Sequence, residues 1–144
     1  MRLIVISGRS GSGKSTALHQ LEDEGFYCID NLPVSLLPAL MEKVSNEEFG
    51  LFQGTAACID ARNAWKDLEN FRNILNSLPA TVETQVLYLD AQDDSLLQRF
   101  GETRRRHPLS TKSIPLAEAI DRERELLEPI SSCANLVLDT SQMT

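Results

Sequence analysis

The sequence has no paired-cysteine motif, no long apolar run and a deficit of positive charge. Each of these lacks excludes a class of protein. The three cysteines, Cys28, Cys58 and Cys133, each lie in a strand-like apolar run, and none belongs to a C-x-x-C pair. Reduced, buried thiols are expected, rather than a zinc site or a structural disulfide. The amino end offers only about five apolar residues before glycines intervene. That is too short for a signal peptide or a membrane span, so the cytoplasm is the expected compartment. Fourteen Lys plus Arg stand against twenty-one Asp plus Glu, a formal charge of -7. Such a balance opposes indiscriminate attraction to polyanions and argues against a general nucleic-acid binder. Internal repeats and low-complexity tracts are also missing.

What is present fits one α/β domain spanning residues 1–144, with 42% apolar content sufficient for a single core. RLIVI (Arg2 to Ile6) is a continuous run of branched residues, as expected of a strand covered on both faces. FYCI (26–29), TAACI (55–59), TQVLYL (84–89) and ANLVLDT (134–140) read as four further strands. Between them, helical spacing appears in STALHQLEDEG, which stops at Gly25, and in Leu36, Leu37, Leu40, Met41 and Val44, with Ser35 as a possible cap. Pro38 is tolerable in that first turn, where its missing N–H has no intrahelical partner to lose. A helix is predicted from Trp65 to Leu78, closed by Pro79, another over about 94–104, and a long amphipathic one from about Pro115 to Ile130. Five alternations of strand and helix predict a mostly parallel sheet flanked by helices through right-handed crossovers. Only five residues follow Asp139. The expectation is therefore a domain taken from a longer protein, whose missing C-terminal part begins as a helix soon after Thr144.

Gly8, Arg9, Ser10, Gly11, Ser12, Gly13, Lys14 and Ser15 fit G-x-x-x-x-G-K-[ST], directly after a predicted strand and opening a predicted helix, and with Thr16 they are the expected nucleotide-binding residues of this loop. Glycines let successive N–H groups point at phosphate oxygens beside a helix N-terminus that carries partial positive charge. Lys14 is placed to reach the β/γ-phosphates, and Ser15 to give Mg²⁺ an oxygen. Magnesium also wants a carboxylate, held directly or through water. Asp60 ends an apolar strand able to neighbour the first and is the leading candidate, with Asp30 at the end of the second strand as another metal-side group. The competing reading is that these aspartates only cap local N–H groups, which suits Asp90 best.

Arg99, Arg104, Arg105, Arg106 and Lys112 fall within fourteen residues. RRRHPLS (104–110) reads as a loop, and in small phosphotransferases such a loop can be a lid whose arginines cross to the phosphates. Arg104 and Arg105 are thus catalytic candidates, against a solvated basic turn or a docking site for RNA or protein. Asp121, Glu123, Glu125 and Glu128 interleave with Arg122 and Arg124 and are expected on an exposed, salt-bridged face.

Taken together, ISGRSGSGKSTALHQLEDEGFYCIDNLP (6–33), DARN (60–63), LYLDAQDDSLLQRFGETRRRHPLS (87–110), AIDRERELLEPI (119–130) and ANLVLDTS (134–141) resemble the nucleotide-binding domain of the bacterial RapZ/YvcJ family, the RNase adapter proteins. The likeness covers virtually the whole chain. It implies a P-loop NTPase fold like the small P-loop kinases, with strand order 2-3-1-4-5, and binding of ATP and GTP with weak hydrolysis. It also implies that Gly8 to Ser15 form the ATP-binding loop. Asp60, Ala61, Arg62 and Asn63 match the D-x-R-N segment that the family assigns to GTP, with Ala61 standing where Val is frequent. In one enterobacterial branch the whole protein presents a small regulatory RNA to an endoribonuclease. The expected function is therefore a regulatory nucleotide-binding domain with slow ATP/GTP hydrolysis. Its partners are nucleoside triphosphates, the C-terminal domain in cis, and RNA or a regulatory protein through the full-length molecule, with no membrane. A small-molecule or nucleotide kinase and a nucleic-acid docking module are the alternatives.

Overall fold

The structure is a computed structural model that describes residues 2–9, 12–44, 52–60, 65–92, 96 and 116–140. Five strands form one sheet: β1 (Arg2–Gly8), β2 (Tyr27–Ile29), β3 (Thr55–Cys58), β4 (Glu83–Asp90) and β5 (Leu136–Asp139), in the order β2-β3-β1-β4-β5. Every pairing is parallel, with Leu3 opposite both Thr55 and Thr84, and Asp90 opposite Asp139. The carboxyl ends of all five strands therefore lie along one edge, where open α/β sheets bind ligands.

The period-two alternation of β1 sorts its side chains into two cores. Leu3 and Val5 pack with Val34, Leu37, Met41, Phe71, Leu127 and Ile130 on one face. Ile6 packs with Leu18, Phe26, Cys58 and Leu89, and with half-buried Ile4, on the other. The first face is covered by α2 (Leu37–Val44), α3 (Trp65–Glu69), α4 (Phe71–Asn76) and α6 (Glu128–Ser131); the second by α1 (Lys14–Asp23). Each fully buried Leu, Ile, Phe or Met contributes about 1.5–3 kcal/mol, so β1 is held firmly from both sides.

Several boundaries differ from expectation for local reasons. Val34–Leu36 is a 3₁₀ turn with Pro33 at its cap position, so Ser35 lies inside that turn rather than at its cap; α2 follows with Pro38 in its first turn. The predicted Trp65–Leu78 helix is two pieces, broken at Asn70, whose backbone (φ -88, ψ 7) leaves helical geometry. The long later helix is likewise α5 (Leu116–Leu126) followed by α6. Pro129 sits at the start of α6 and has no N–H to continue the ladder. Cys133 follows α6 rather than lying in a strand, and of the three free cysteines only Cys58 is buried as expected, Cys28 and Cys133 being half-buried. Glu123 is a correction: it is fully buried, while Arg122 and Glu118 form the exposed i,i+4 pair at 3.3 Å. Of the predicted helix over 94–104 only Leu96 is described: it is helical, donates its N–H to Gln92 O at 3.1 Å and packs with Ala91 and Ile120, as its apolar spacing predicts; the RRRHPLS segment lies outside the described residues. No described helix is long and apolar enough to cross a membrane.

Candidate functional site

The site begins where β1 ends. Gly8 has φ 151 and runs directly alongside Leu89 of β4; a Cβ there would collide with the Leu89 carbonyl oxygen and stand 2.7 Å from Ser12 Oγ. Only glycine allows that approach. The chain then turns, with Ser12 N–H donating to Arg9 O at 3.0 Å. Gly13 adopts a left-handed conformation (φ 106, ψ 16) at the N-cap of α1, and among the described residues no side chain caps the helix. The first-turn amides of α1 therefore lack the side-chain acceptor that usually satisfies them.

Lys14 Nζ donates to Gly8 O at 2.8 Å, which folds the ammonium back over the turn. An ammonium carries three donors, so two remain for an incoming anion. Ser12 Oγ is fully buried and has no hydrogen-bond partner among the described residues. Ser15 and Thr16 are exposed on the first turn of α1. A buried hydroxyl without an acceptor, uncapped amides and a lysine at one turn make a site chemically fit for phosphate oxygens.

Three charged side chains act on the end of β3. Burial pushes the Cys58 thiol up to about 12; the Lys14 charge opposes this, while the nearby Asp30 and Asp60 carboxylates and a hydrogen bond with Asp30 add to it. The charges of Lys14, Asp30 and Asp60 are thus all felt at one buried thiol. Asp60 is itself buried, and its backbone is fixed from β1: Ile59 N–H donates to Ile6 O at 2.9 Å, and Ser7 Oγ donates to Ile59 O at 2.6 Å. Asp30 is exposed and accepts from Asn31 N–H at 2.9 Å, with Asn31 at φ 54 in the region that Asn tolerates better than most residues. Among the described residues no group of three or more His, Cys, Asp or Glu could hold a metal ion. Mg²⁺ does not require one. Ser15, Asp60 and Asp30 carry oxygens of the kind that could hold it, alongside phosphate oxygens and water.

The Arg9 side chain turns into the fold rather than out of the loop. Its guanidinium is 1% exposed, pairs with Asp90 Oδ1 at 2.8 Å and donates to Ala91 O. The side chain is taken up by β4, so any part of Arg9 in ligand binding falls to its backbone. Asp90 does cap locally, accepting from Ala91 N–H at 2.8 Å, and it also anchors Arg9. Two residues that hold this edge together carry no mark in the sequence: Ser7, whose Oγ donates to Ile59 O, and Thr140, whose Oγ1 lies 2.7 Å from Ser12 O. Ser10, Gly11, Ala61, Arg62, Asn63, Arg104 and Arg105 lie outside the described residues.

A parallel sheet in this order, with a G-x-x-x-x-G-K-S turn joining its central strand to an uncapped helix, defines a P-loop α/β domain. The chain belongs to the family described as the RapZ-like N-terminal domain, which matches residues 1–144. It is 53% identical to a nucleotide-binding protein of Hahella chejuensis, covering 100% of this chain and 51% of that protein. With a nucleotide-binding protein of Pseudomonas aeruginosa (strain LESB58) it shares 54% identity, over 99% of this chain and 50% of that one. The chain thus spans about half the length of the curated relatives it matches. Among solved structures, a sugar kinase from Janibacter aligns with a TM-score of 0.57 at 19% identity, covering 96% of this chain and 85% of that one. A shikimate kinase from Bacteroides thetaiotaomicron aligns at 0.54 and 15%, covering 95% and 85%. At such identities these likenesses speak for the fold alone.

Proposed function

We propose that this chain is the nucleotide-binding half of a RapZ-like protein. It holds a Mg²⁺-bound nucleoside triphosphate, ATP or GTP, hydrolyses it slowly, and passes its ligand state to the other half of the full-length molecule. The observation that carries this is Lys14 bent onto Gly8 O at 2.8 Å, beside the buried Ser12 hydroxyl and the start of α1, neither of which finds a side-chain partner or cap among the described residues. The name of the curated relatives, nucleotide-binding protein, agrees with it.

Lys14 and the α1 amides hold phosphate oxygens, and Ser15, Asp60 and Asp30 are the donors on the metal side. The bound Mg²⁺ neutralises phosphate charge. Ala61, Arg62 and Asn63 follow Asp60 directly in the chain, so their contribution and that of the phosphate loop belong to one site or to adjoining sites. Arg104 and Arg105 are proposed to reach the phosphates during hydrolysis. The formal charge of -7 argues against RNA contact by this half, which leaves any adapter role to the remainder of the protein.

Calorimetric titration with Mg-ATP and with Mg-GTP tests the reading. Saturable heats are expected for both, with mutual competition if one site serves the two. Folded protein that gives no heat with either contradicts it. A second reading, transfer to an acceptor other than water, is favoured by the exposed Asp30 carboxylate beside the same edge. Phosphorylated product from a panel of hydroxyl acceptors supports transfer, and ATP loss to water alone opposes it.

A further inference from the structure

Thr140, just beyond β5, is buried and reaches back across the sheet edge to the glycine-rich turn. Its N–H donates to Asp90 O at 2.7 Å, which fixes its own backbone on the end of β4. Its Oγ1 lies 2.7 Å from Ser12 O and 3.1 Å from Asp90 O. The hydroxyl has one proton, and the shorter approach is to Ser12 O. Thr140 Cγ2 also lies beside Gly13, 4.0 Å from the place a Cβ would occupy there.

The Ser12–Gly13 peptide is trans. In a trans peptide the C=O and N–H point in opposite directions, so whatever holds the carbonyl also aims the amide. Thr140 draws Ser12 O toward β5, which turns Gly13 N–H the other way. Gly13 O accepts from Ala17 N–H, whereas Gly13 N–H donates to nothing among the described residues. Without the hydroxyl tether, this left-handed glycine joint is free to rotate.

We propose that Thr140 is a positioning residue for phosphate binding: by holding Ser12 O it presents the Gly13 amide to the phosphate chain. The inference rests on the nucleotide reading above and adds to it a residue 128 positions away in sequence. Asp90 supports the same device, since it carries Thr140 on its carbonyl and Arg9 on its carboxylate. The turn is thereby tied to β4 and β5 at both Arg9 and Ser12.

The test uses inorganic tripolyphosphate with Mg²⁺ and Mg-ATP as probes, on wild type, Thr140→Val and Thr140→Ser. Thr140→Val keeps the shape and removes the hydroxyl. It is expected to weaken both probes by about fivefold or more, with Thr140→Ser restoring affinity. Equal affinity of folded Thr140→Val and wild type, or a Thr140→Ser that binds no better than the valine variant, overturns the role. If Thr140→Val does not fold, wild type alone decides. The Gly13 amide resonance should shift downfield as tripolyphosphate binds, and a resonance that stays in place while other turn amides move overturns the inference. Wild type that binds neither probe sinks the nucleotide reading along with it, whereas binding with an indifferent Thr140 sinks only the positioning role.

Discussion

Gly8 shows how close the backbone comes to its neighbours at the head of the site. A methyl group there meets the Leu89 carbonyl, part of a paired strand that cannot swing aside, and Gly8 also holds a positive φ. Gly8→Ala is predicted to destabilise the fold by about 2–3 kcal/mol in urea unfolding, and a loss under about 0.5 kcal/mol contradicts that. Cys58 gives a pH signature of the same neighbourhood. The thiol ionises at about 12 when folded against its ordinary 9.0. As pH rises past 9, the unfolded chain therefore releases this proton first, and stability falls between about 9 and 12. Below 9 both states keep the proton and the group adds no slope. The slope in that window is up to about 1.4 kcal/mol per pH unit. Burial raises Tyr88 in the same direction. Urea unfolding at several pH values from 8 to 11 should show a shallower alkaline decline for Cys58→Ala than for wild type; parallel curves contradict the assignment. Gly8 was legible from the motif. The cluster around Cys58 was not, because proximity of Lys14, Asp30 and Asp60 depends on strand order rather than on any local pattern.

Among the elements, β5 stands apart from the other strands. Leu136 and Val137 point to opposite faces, yet they are 54% and 58% exposed, where parallel strands are ordinarily covered on both sides. In this chain Val137→Thr is predicted to change stability by less than about 0.5 kcal/mol, whereas Leu89→Ala on β4 should cost about 2–4 kcal/mol. Thermal or urea unfolding of both variants checks the contrast, and equal costs contradict it. Strands were readable because branched apolar runs ending in Asp30, Asp60, Asp90 and Asp139 leave little alternative. Helix breaks were less so. Asn70 and Pro129 sit inside apolar spacing that continues through them, since Phe71 and Ile130 still face the core after each break. Glu123 misled for a related reason: its charged neighbours Arg122 and Arg124 are exposed, but its own position on α5 points inward.

At the scale of the whole molecule, parallel pairing does the assembling. It brings the glycine-rich turn, Asp30, Asp60, Asp90 and Thr140 to one edge from five separate strands. The edge was legible, because each strand end was marked by a polar residue. The cross-links along it were not: Arg9 to Asp90 spans 81 positions and Thr140 to Ser12 spans 128, and no sequence rule pairs such distant groups. The account rests on that edge gripping a triphosphate through Lys14. Calorimetric titration of Mg-ATP into wild type and Lys14→Ala tests this most directly. The prediction is saturable binding by wild type and a loss of at least about tenfold in the folded variant, as removal of a charge-assisted phosphate contact implies. Undiminished binding by folded Lys14→Ala would contradict it.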